Sequence, residues 1–442
     1  MQIKLPDKVH KIIEVLTAAG YEAYAVGGCV RDSILGREPN DWDITTSAKP
    51  EETKSLFPRT IDTGIKHGTV TVMLDREGFE VTTYRIDGMY EDNRHPKEVT
   101  FTASLEEDLK RRDFTVNAMA YNEQAGLVDI FGGLDDIERG IIRCVGNAEE
   151  RFTEDALRML RAVRFSAQLG YQIDEATKQG IRKLAPNLKA ISAERIQAEL
   201  VKLVISPHPD HLRIAYETGI TKQILPEFDF CMETAQNNPH HCYSVGEHIL
   251  HAMQETPPDK ILRLGMLFHD IGKPQTLTVD EKGITHNKGH NIVGEKMTRQ
   301  ILRRLKFDND TINKVSKIVL CHDQETGLTP GGVRRAVNRI GEDIFPLLFV
   351  VQYADIRAQS DYLREEKLQK LTYLKEIYDG VCRRQECLNL KDLAVTGNDL
   401  IALGIPAGKE IGVTLNSLLD IVLEEPERNT RQELLRICKE KI

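Results

Sequence analysis

The chain has 442 residues, with 59 basic and 68 acidic side chains and a formal net charge of −9. That length exceeds what one hydrophobic core holds, so about two to four domains are expected. The acidic balance excludes a protein that coats nucleic acid, yet leaves room for a local basic surface that grips one structured RNA. No apolar run nears the roughly twenty residues that a bilayer span needs, so no membrane partner is expected. The eight cysteines are scattered without Cys-x-x-Cys spacing, which points to a reducing, cytoplasmic home. Residues 1–22 carry Val9, Ile12, Ile13 and Leu16 at helical spacing and close at Gly20, predicting a helix. Ala23–Val26 reads as a short strand. Gly27 and Gly28 then allow a tight turn and a close approach to a ligand. A short helix from Val30 to Leu35 opens with exposed N–H groups beside Arg31, a place for a triphosphate.

Asp41 and Asp43 stand two residues apart on a segment that reads as strand through Ile44, so their carboxylates share one face. Adjacent carboxylates repel unless a cation lies between them, and hard oxygen donors suit Mg²⁺. Thr69–Leu74 and Phe79–Tyr84, joined by a polar turn, predict a hairpin. Glu80 is expected on the same sheet as the two aspartates, either completing a two-metal site or standing as an ordinary outward-facing strand residue. Residues 85–108 are polar and read as a long functional loop. Arg111 and Arg112 are then expected to open a helix and direct charge at phosphates. Asp129–Gly133 reads as a strand end and turn, and from about residue 137 the chain becomes helical.

One helix is expected to carry Glu154, Asp155, Arg158, Arg161 and Arg164 as a row, with Leu157, Leu160, Ala162, Val163 and Phe165 packing its other side. Three arginines with so little acid repel one another unless an anion lies nearby. Asp155 only accepts hydrogen bonds and Arg158 only donates them. Cytosine and adenine present an amino donor beside a ring-nitrogen acceptor, so this pair would accept CTP and ATP and reject GTP and UTP.

Gly-Gly-x-Val-Arg-Asp with Asp-x-Asp, Arg-Arg-Asp-Phe-Thr-x-Asn-Ala, Asp-x-Phe-Gly-Gly and Glu-Asp-x-x-Arg-x-x-Arg-x-x-Arg-Phe follow in order over residues 27–165, and Ser192-Ala193-Glu194-Arg195-Ile196-x-x-Glu199 comes next. This set resembles the bacterial class of CCA-adding tRNA nucleotidyltransferases and the related poly(A) polymerases. The resemblance implies a polymerase-β-like head, followed by helical neck, body and tail that clamp the tRNA acceptor arm. It implies that Asp41 and Asp43 hold catalytic Mg²⁺, that Gly28, Arg31 and Arg112 handle the triphosphate, and that Asp155 and Arg158 read the base, supported by Arg161 and Arg164. Arg85–Phe101 matches the flexible loop of members that add all three nucleotides, and Glu194 and Arg195 would brace the neck helices. Cys29 replaces the small residue often found at its position.

The second half carries another constellation. His248 opens an apolar-periodic stretch, and a second apolar helix ends in His269-Asp270-Ile271-Gly272-Lys273, followed by His286, His290, His322-Asp323 and Asp355. Imidazoles and carboxylates from separate helices can converge on one divalent ion. The pattern resembles the HD metal-dependent phosphohydrolase superfamily, which implies that His248, His269, Asp270 and Asp355 form the metal set, with His290 and His322 as additions and Mg²⁺ or a transition metal bound; the alternative is a degenerate HD fold that serves only as part of the RNA-binding body. The expected fold is α+β, with a small mixed sheet in a head over 1–138, a helical neck over 139–230, an HD-type helical body over 231–360 and a helical tail over 361–442. The expected activity is template-independent addition of C, C and A to tRNA. The alternatives are A-only addition, poly(A) synthesis or, in another class, phosphoester hydrolysis at the HD-type centre. Poly(A) polymerases usually end in a basic extension, whereas this tail carries Glu424, Glu425 and Glu427.

Overall fold

The computed structural model describes residues 2–88 and 99–441. The chain divides into two compact units, Met1–Pro226 and Glu227–Ile442. The first begins with α1 (Asp7–Ala18), β1 (Ala23–Val26), α2 (Gly28–Ile34), β2 (Ile44–Thr46), α3 (Pro50–Leu56), β3 (Thr60–Gly64), β4 (Thr69–Leu74) and β5 (Glu77–Thr83). It continues with β6 (Arg85–Asp87), β7 (Val99–Phe101), α4 (Leu105–Lys110), β8 (Met119–Asn122), β9 (Gly126–Asp129) and α5 (Gly133–Arg139). Then come β10 (Ile141–Ile142), α6 (Ala148–Glu154), α7 (Leu157–Leu169), β11 (Gln172–Ile173), α8 (Glu175–Leu184), α9 (Ala193–Val204), α10 (Leu212–Glu217) and α11 (Thr221–Ile224).

Among the described residues, seven strands form one mixed sheet in the order β3-β4-β5-β2-β1-β8-β9. Its pairs are antiparallel except β2 with β5, which run parallel. Val26, Ile44, Val70, Val72, Val81 and Ala120 are buried on these strands, and each such Val or Ile contributes about 1.5–3 kcal/mol of apolar burial. The β4–β5 hairpin turns through Asp75 and Arg76, both at positive φ (48° and 69°). Two such residues give a turn whose twist matches the strands it joins. Helix α1 buries Val9, Ile12, Ile13 and Leu16, the stripe expected from their spacing.

Three expectations change. The reading of residues 85–108 as one loop gives way to β6 paired with β7 and the start of α4, while residues 89–98 lie outside the described residues. Arg111 and Arg112 follow α4 instead of opening a helix, because Ser104 caps its start and Glu106, Glu107 and Asp108 fill its first turn. That arrangement sets acid at the positive end of the helix and base at the negative end. Asp41 and Asp43 precede β2, which begins only at Ile44.

The second unit is helical: α12 (Pro226–Glu233, with Pro226 in the first unit), α13 (Val245–Gln254), α14 (Lys260–Phe268), α15 (Lys273–Thr276), a short β12 (Thr278–Val279) and β13 (Thr285–His286), then α16 (His290–Arg304) and α17 (Asn309–Cys321). It ends with α18 (Pro330–Ile340), α19 (Phe345–Ala358), α20 (Arg364–Arg383), α21 (Gly397–Ala402), α22 (Lys409–Glu424) and α23 (Arg431–Lys441). The last three helices share a core of Leu400, Leu418, Leu419, Val422, Leu423, Leu434 and Ile437.

Candidate active site

The glycine turn and the aspartates are laid together by backbone bonds. Val26 N–H donates to the Asp43 carbonyl at 3.0 Å, and Gly27 N–H to the Met119 carbonyl at 3.2 Å. Gly27 sits at φ +86°, and a Cβ there would lie 3.1 Å from Arg112 Nη1. Glycine is therefore required at 27, while Gly28 is the ordinary first residue of α2. Parallel pairing of Ile44 with Val81 sets Glu80 level with Asp43. Glu80, Asp41 and Asp43 line one cavity of about 830 Å³. Asp41 and Asp43 also line a second cavity of about 700 Å³, with Gly28, Arg31, Arg37, Arg164 and Lys202. The two aspartates thus belong to both cavities, the second of which sets Asp32 and Glu38 among its four basic side chains, and each is large enough for a nucleotide-sized ligand. Asp43 opens to the cavities, but close-set protein desolvates it and raises its carboxyl pKa, against Arg112 and with the help of Asp41. Two crowded carboxylates of this kind fit a hard divalent cation.

Arg31 is buried and held by Asp32 (Nε–Oδ1 2.9 Å) and Asn117 (Nη1–Oδ1 2.5 Å). Fully buried Asp108, on α4, ties β2, β6 and the segment after α4 together. Its carboxylate accepts from Thr45 Oγ1 at 3.1 Å, from Arg85 N–H at 3.4 Å, from Arg111 Nη2 at 2.8 Å and from Arg112 Nη2 at 3.4 Å.

The expected single arginine helix is two helices. Helix α6 ends at Glu154, Asp155 is extended (φ −141°, ψ 104°), and α7 carries the arginines. The Asp155 carboxylate caps α7 by accepting from Leu157 N–H at 3.0 Å, a bond that a continuous helix would not form. The charge balance expected from a ligand comes from the protein instead. Arg158 pairs with Glu154 at 2.5 Å, Arg161 with Asp113 at 2.6 Å, and Arg164 with Glu199 at 2.7 Å. Asp155 accepts from Arg195 Nη2 at 2.7 Å, while Glu194 lies exposed on the same helix, α9. Phe165 does not pack away from the arginines. Its ring lies 3.8 Å from the Arg164 guanidinium carbon, 5.2 Å from that of Arg31 and 5.4 Å from that of Arg161, cation–π contacts that hold the cluster in place.

In the second unit, α13, α14, α16, α17 and α19 bring His248, His269, Asp270, His290, His322 and Asp355 together. His248 Nε2 lies 2.8 Å from Asp355 Oδ1 and 3.5 Å from Asp270 Oδ2, and His269 Nε2 lies 3.3 Å from Asp270 Oδ2. On the other oxygen, Asp270 Oδ1 faces His290 Nε2 at 3.5 Å and His322 Nε2 at 3.7 Å. All four imidazoles turn Nδ1 to a backbone carbonyl: His248 to Ala358 at 3.3 Å, His269 to Met266 at 2.7 Å, His290 to Asn287 at 2.9 Å and His322 to Val319 at 2.7 Å. A carbonyl only accepts, so Nδ1 carries a proton in each ring and each Nε2 is directed inward at the carboxylates. Burial and the neighbouring His269 hold His322 down at about 4, in the neutral form a metal ligand needs. The donor set fits a divalent ion on either side of Asp270. Gly272 makes the approach possible, since a Cβ there would collide with the His290 carbonyl and lie 2.6 Å from Gly294 N. His286 stands apart, bonded to Asp280 at 3.0 Å.

Three family models match the chain: "Poly A polymerase head domain" over residues 23–143, "Probable RNA and SrmB-binding site of polymerase A" over 170–232, and "tRNA nucleotidyltransferase domain 2" over 290–438. A CCA-adding enzyme of Streptococcus mutans is 34% identical over 437 residues, covering 98% of this chain and 96% of that enzyme. The chain belongs to the CCA-adding enzyme family. The crystal structure of the Bacillus stearothermophilus CCA-adding enzyme with CTP matches 99% of this chain and 98% of its own at 31% identity, with a TM-score of 0.73. A CCA-adding enzyme of Lactobacillus helveticus is 49% identical over 240 residues, 53% of this chain and 60% of that enzyme. The chain thus spans about half to three fifths of the length of several curated relatives that it matches.

In this member of the CCA-adding family, the residues that sequence reasoning left without a role are mostly the partners of the arginines. Asp113 and Glu199 lie inside quoted motifs, but the arginines they pair with, Arg161 and Arg164, stand 48 and 35 residues away. Asn117 also lies inside a quoted motif, and Asp108 stands three and four residues before Arg111 and Arg112, whereas Lys202 carries no such signal.

Proposed function

We propose that the chain adds C, C and A to the 3′ end of tRNA from CTP and ATP, without a nucleic-acid template. The observation that carries this reading is that Asp41 and Asp43 border two cavities, one lined by Gly28, Arg31, Arg164 and Lys202 and the other by Glu80. In this reading the cavity that holds Gly28, Arg31, Arg164 and Lys202 takes the nucleoside triphosphate and the other admits the RNA end. The RNA 3′ oxygen bonds to the α-phosphorus, the bond to the β-phosphate bridge breaks, pyrophosphate leaves and the hydroxyl proton passes to solvent. Asp41 and Asp43, with Glu80 alongside, are the residues that would hold Mg²⁺, which when bound polarises the hydroxyl and neutralises the leaving group. Arg31 and Arg112 orient the triphosphate across the Gly27–Gly28 turn. Asp155 and Arg158, preset by Arg195 and Glu154, offer an acceptor and donors to the base, and Arg161 and Arg164 stiffen the helix behind them.

The division into head (1–138), neck (139–230), body (231–360) and tail (361–442), the tail contacting tRNA, belongs to the same proposal, as does a cytoplasmic location. Family membership and the CTP complex of the Bacillus stearothermophilus relative support it. Among the described residues no helix is long and apolar enough to cross a membrane. The test is a tRNA transcript lacking its last three nucleotides. Growth by two with CTP and by three with CTP and ATP is expected. A ladder with ATP alone would instead indicate poly(A) synthesis, and one A added only to a CC-ended tRNA would indicate A-only addition.

The imidazole cluster favours a second activity for the second unit. His248, His269, Asp270 and Asp355, with His290 and His322 across Asp270, would hold divalent metal and support hydrolysis of a phosphate ester. Such an ion supplies an activated water there. Metal content and phosphate release in His269→Ala, beside an intact Asp41, test this reading separately from nucleotide addition.

A further inference from the structure

We infer that Lys367 and His240 form an anion subsite on the wall of the second unit's imidazole–carboxylate cavity, where they anchor the phosphate of a phosphomonoester. The inference rests on the hydrolase reading above and adds the residues that recognise the substrate. The cavity holds about 630 Å³ and is lined by Asp270, Asp355, His290 and His322 at one part of its wall and by Lys367, His240 and Gln359 at another. Lys367 Nζ lies 3.0 Å from His240 Nδ1 and donates to Gln359 Oε1 at 2.5 Å. Gln359 Nε2 in turn donates to Asp355 Oδ2 at 3.0 Å. An ammonium has three donors, and these partners take two of them.

Both partners are neutral acceptors. Among the described residues no carboxylate lies within ion-pair distance of Lys367, whereas Lys273 in the same cavity is paired with Asp270 at 2.7 Å. Lys367 is therefore a half-buried cation that no carboxylate pairs directly, with Asp355 acting on it only beyond Gln359, and it faces the space in front of the proposed metal-ligand set. Its position is built. The His240 carbonyl accepts from Ser360 N–H at 2.9 Å, and its ring meets Tyr362 edge-on at 5.0 Å.

An unpartnered donor on the same cavity points the same way. His241 Nδ1 is buried without a hydrogen-bond partner. Lysine cannot accept, so the 3.4 Å contact between Lys273 Nζ and His241 Nε2 assigns the His241 proton to Nδ1, leaving a buried donor with no acceptor. A tetrahedral dianion supplies oxygens both to metal ions at Asp270 and to a lysine and imidazole on the facing wall, which a single-charged planar carboxylate does less well.

The experiment uses the full chain loaded with Mn²⁺. Metal content is measured by mass spectrometry, inorganic phosphate binding by calorimetry, and hydrolysis with para-nitrophenyl phosphate. Lys367→Met should keep its metal, weaken phosphate binding about tenfold and raise KM by the same factor with kcat nearly unchanged, and Lys367→Arg should recover most of the loss. Full metal loading with phosphate affinity in Lys367→Met within twofold of the parent overturns the subsite while leaving the hydrolase reading standing. Failure of the parent protein to take up metal overturns both.

Discussion

Asp155 is held by Arg195 across the α7–α9 pair at 2.7 Å, while Arg158, three residues on, is bound to Glu154 at 2.5 Å. The acceptor and the donor proposed to read the base are therefore each oriented by a partner of opposite charge, before any nucleotide arrives. Arg195→Ala releases the Asp155 carboxylate to rotate. A lost charge-assisted bond is worth about 1.5–3 kcal/mol, so incorporation of UTP or GTP relative to CTP should rise about tenfold or more. Triphosphate affinity should stay within about twofold. Single-nucleotide incorporation with each triphosphate reads the first quantity, and unchanged base selection would count against the preset pair.

Asp108 joins Thr45, beside the proposed metal-binding aspartates, to Arg112 at the glycine turn and to the root of the β6–β7 pair. Its burial raises the carboxyl pKa, but Arg111 and Arg112 outweigh that and hold it below the usual range. Removing one partner of a buried ion pair costs about 3–5 kcal/mol. Asp108→Ala should lower the unfolding free energy by that order in denaturant titration. Asp108→Asn, which keeps a hydrogen-bonding group at the site, should lose less stability yet still raise the KM for CTP by misplacing Arg112.

Asp113 sets a pH dependence. Burial alone would raise its carboxyl, but Arg161 and Arg158, with hydrogen bonds from Arg161 and Asn117, bring it down to about 2 from 3.8. A folded-state value below the unfolded one gives stability that is present above about pH 4 and is lost as pH falls through 2. The contribution is about 2 kcal/mol. Asp113→Asn should remove it, so the difference in unfolding free energy between parent and variant should shrink between pH 4 and pH 2. A difference that stays constant across that window would contradict the assignment.

Gly27 occupies a backbone conformation that L-residues resist, and its missing Cβ leaves room for the Arg112 guanidinium at 3.1 Å. Gly27→Ala should cost about 1–3 kcal/mol of stability. It should also lower kcat/KM for CTP more than Gly28→Ala does, because a Cβ at 28 meets only Arg31 Nη2, at 3.7 Å.

Much of this architecture was legible in the sequence wherever local chemistry decides it. The α1 stripe and the β4–β5 hairpin follow from periodicity, and the family resemblance of the second-half motifs names His248, His269, Asp270 and Asp355, which the fold brings together. What spacing did not reveal was set by partners far along the chain. Three-residue periodicity ran straight through Asp155, where a capping carboxylate and Arg195, forty residues on, divide one predicted helix into two. The arginine row read as a demand for an outside anion because Asp113 and Glu199 lie 48 and 35 residues from the arginines they neutralise. Arg111 and Arg112 read as a helix start because basic pairs are ambiguous without the cap at Ser104.

The most direct test of the central claim, that Asp41 and Asp43 carry nucleotide addition, is single-turnover CMP transfer to a tRNA lacking its last three nucleotides. Parent, Asp41→Asn and Asp43→Asn would be compared, with CTP affinity measured on the same preparations. The account predicts a fall in transfer of about a thousandfold or more in either variant, with CTP affinity changed by less than about tenfold and phosphoester hydrolysis at the second unit unaffected. Transfer at near-parental rate in either variant, from protein that still binds CTP, would contradict it and move the chemistry away from these carboxylates.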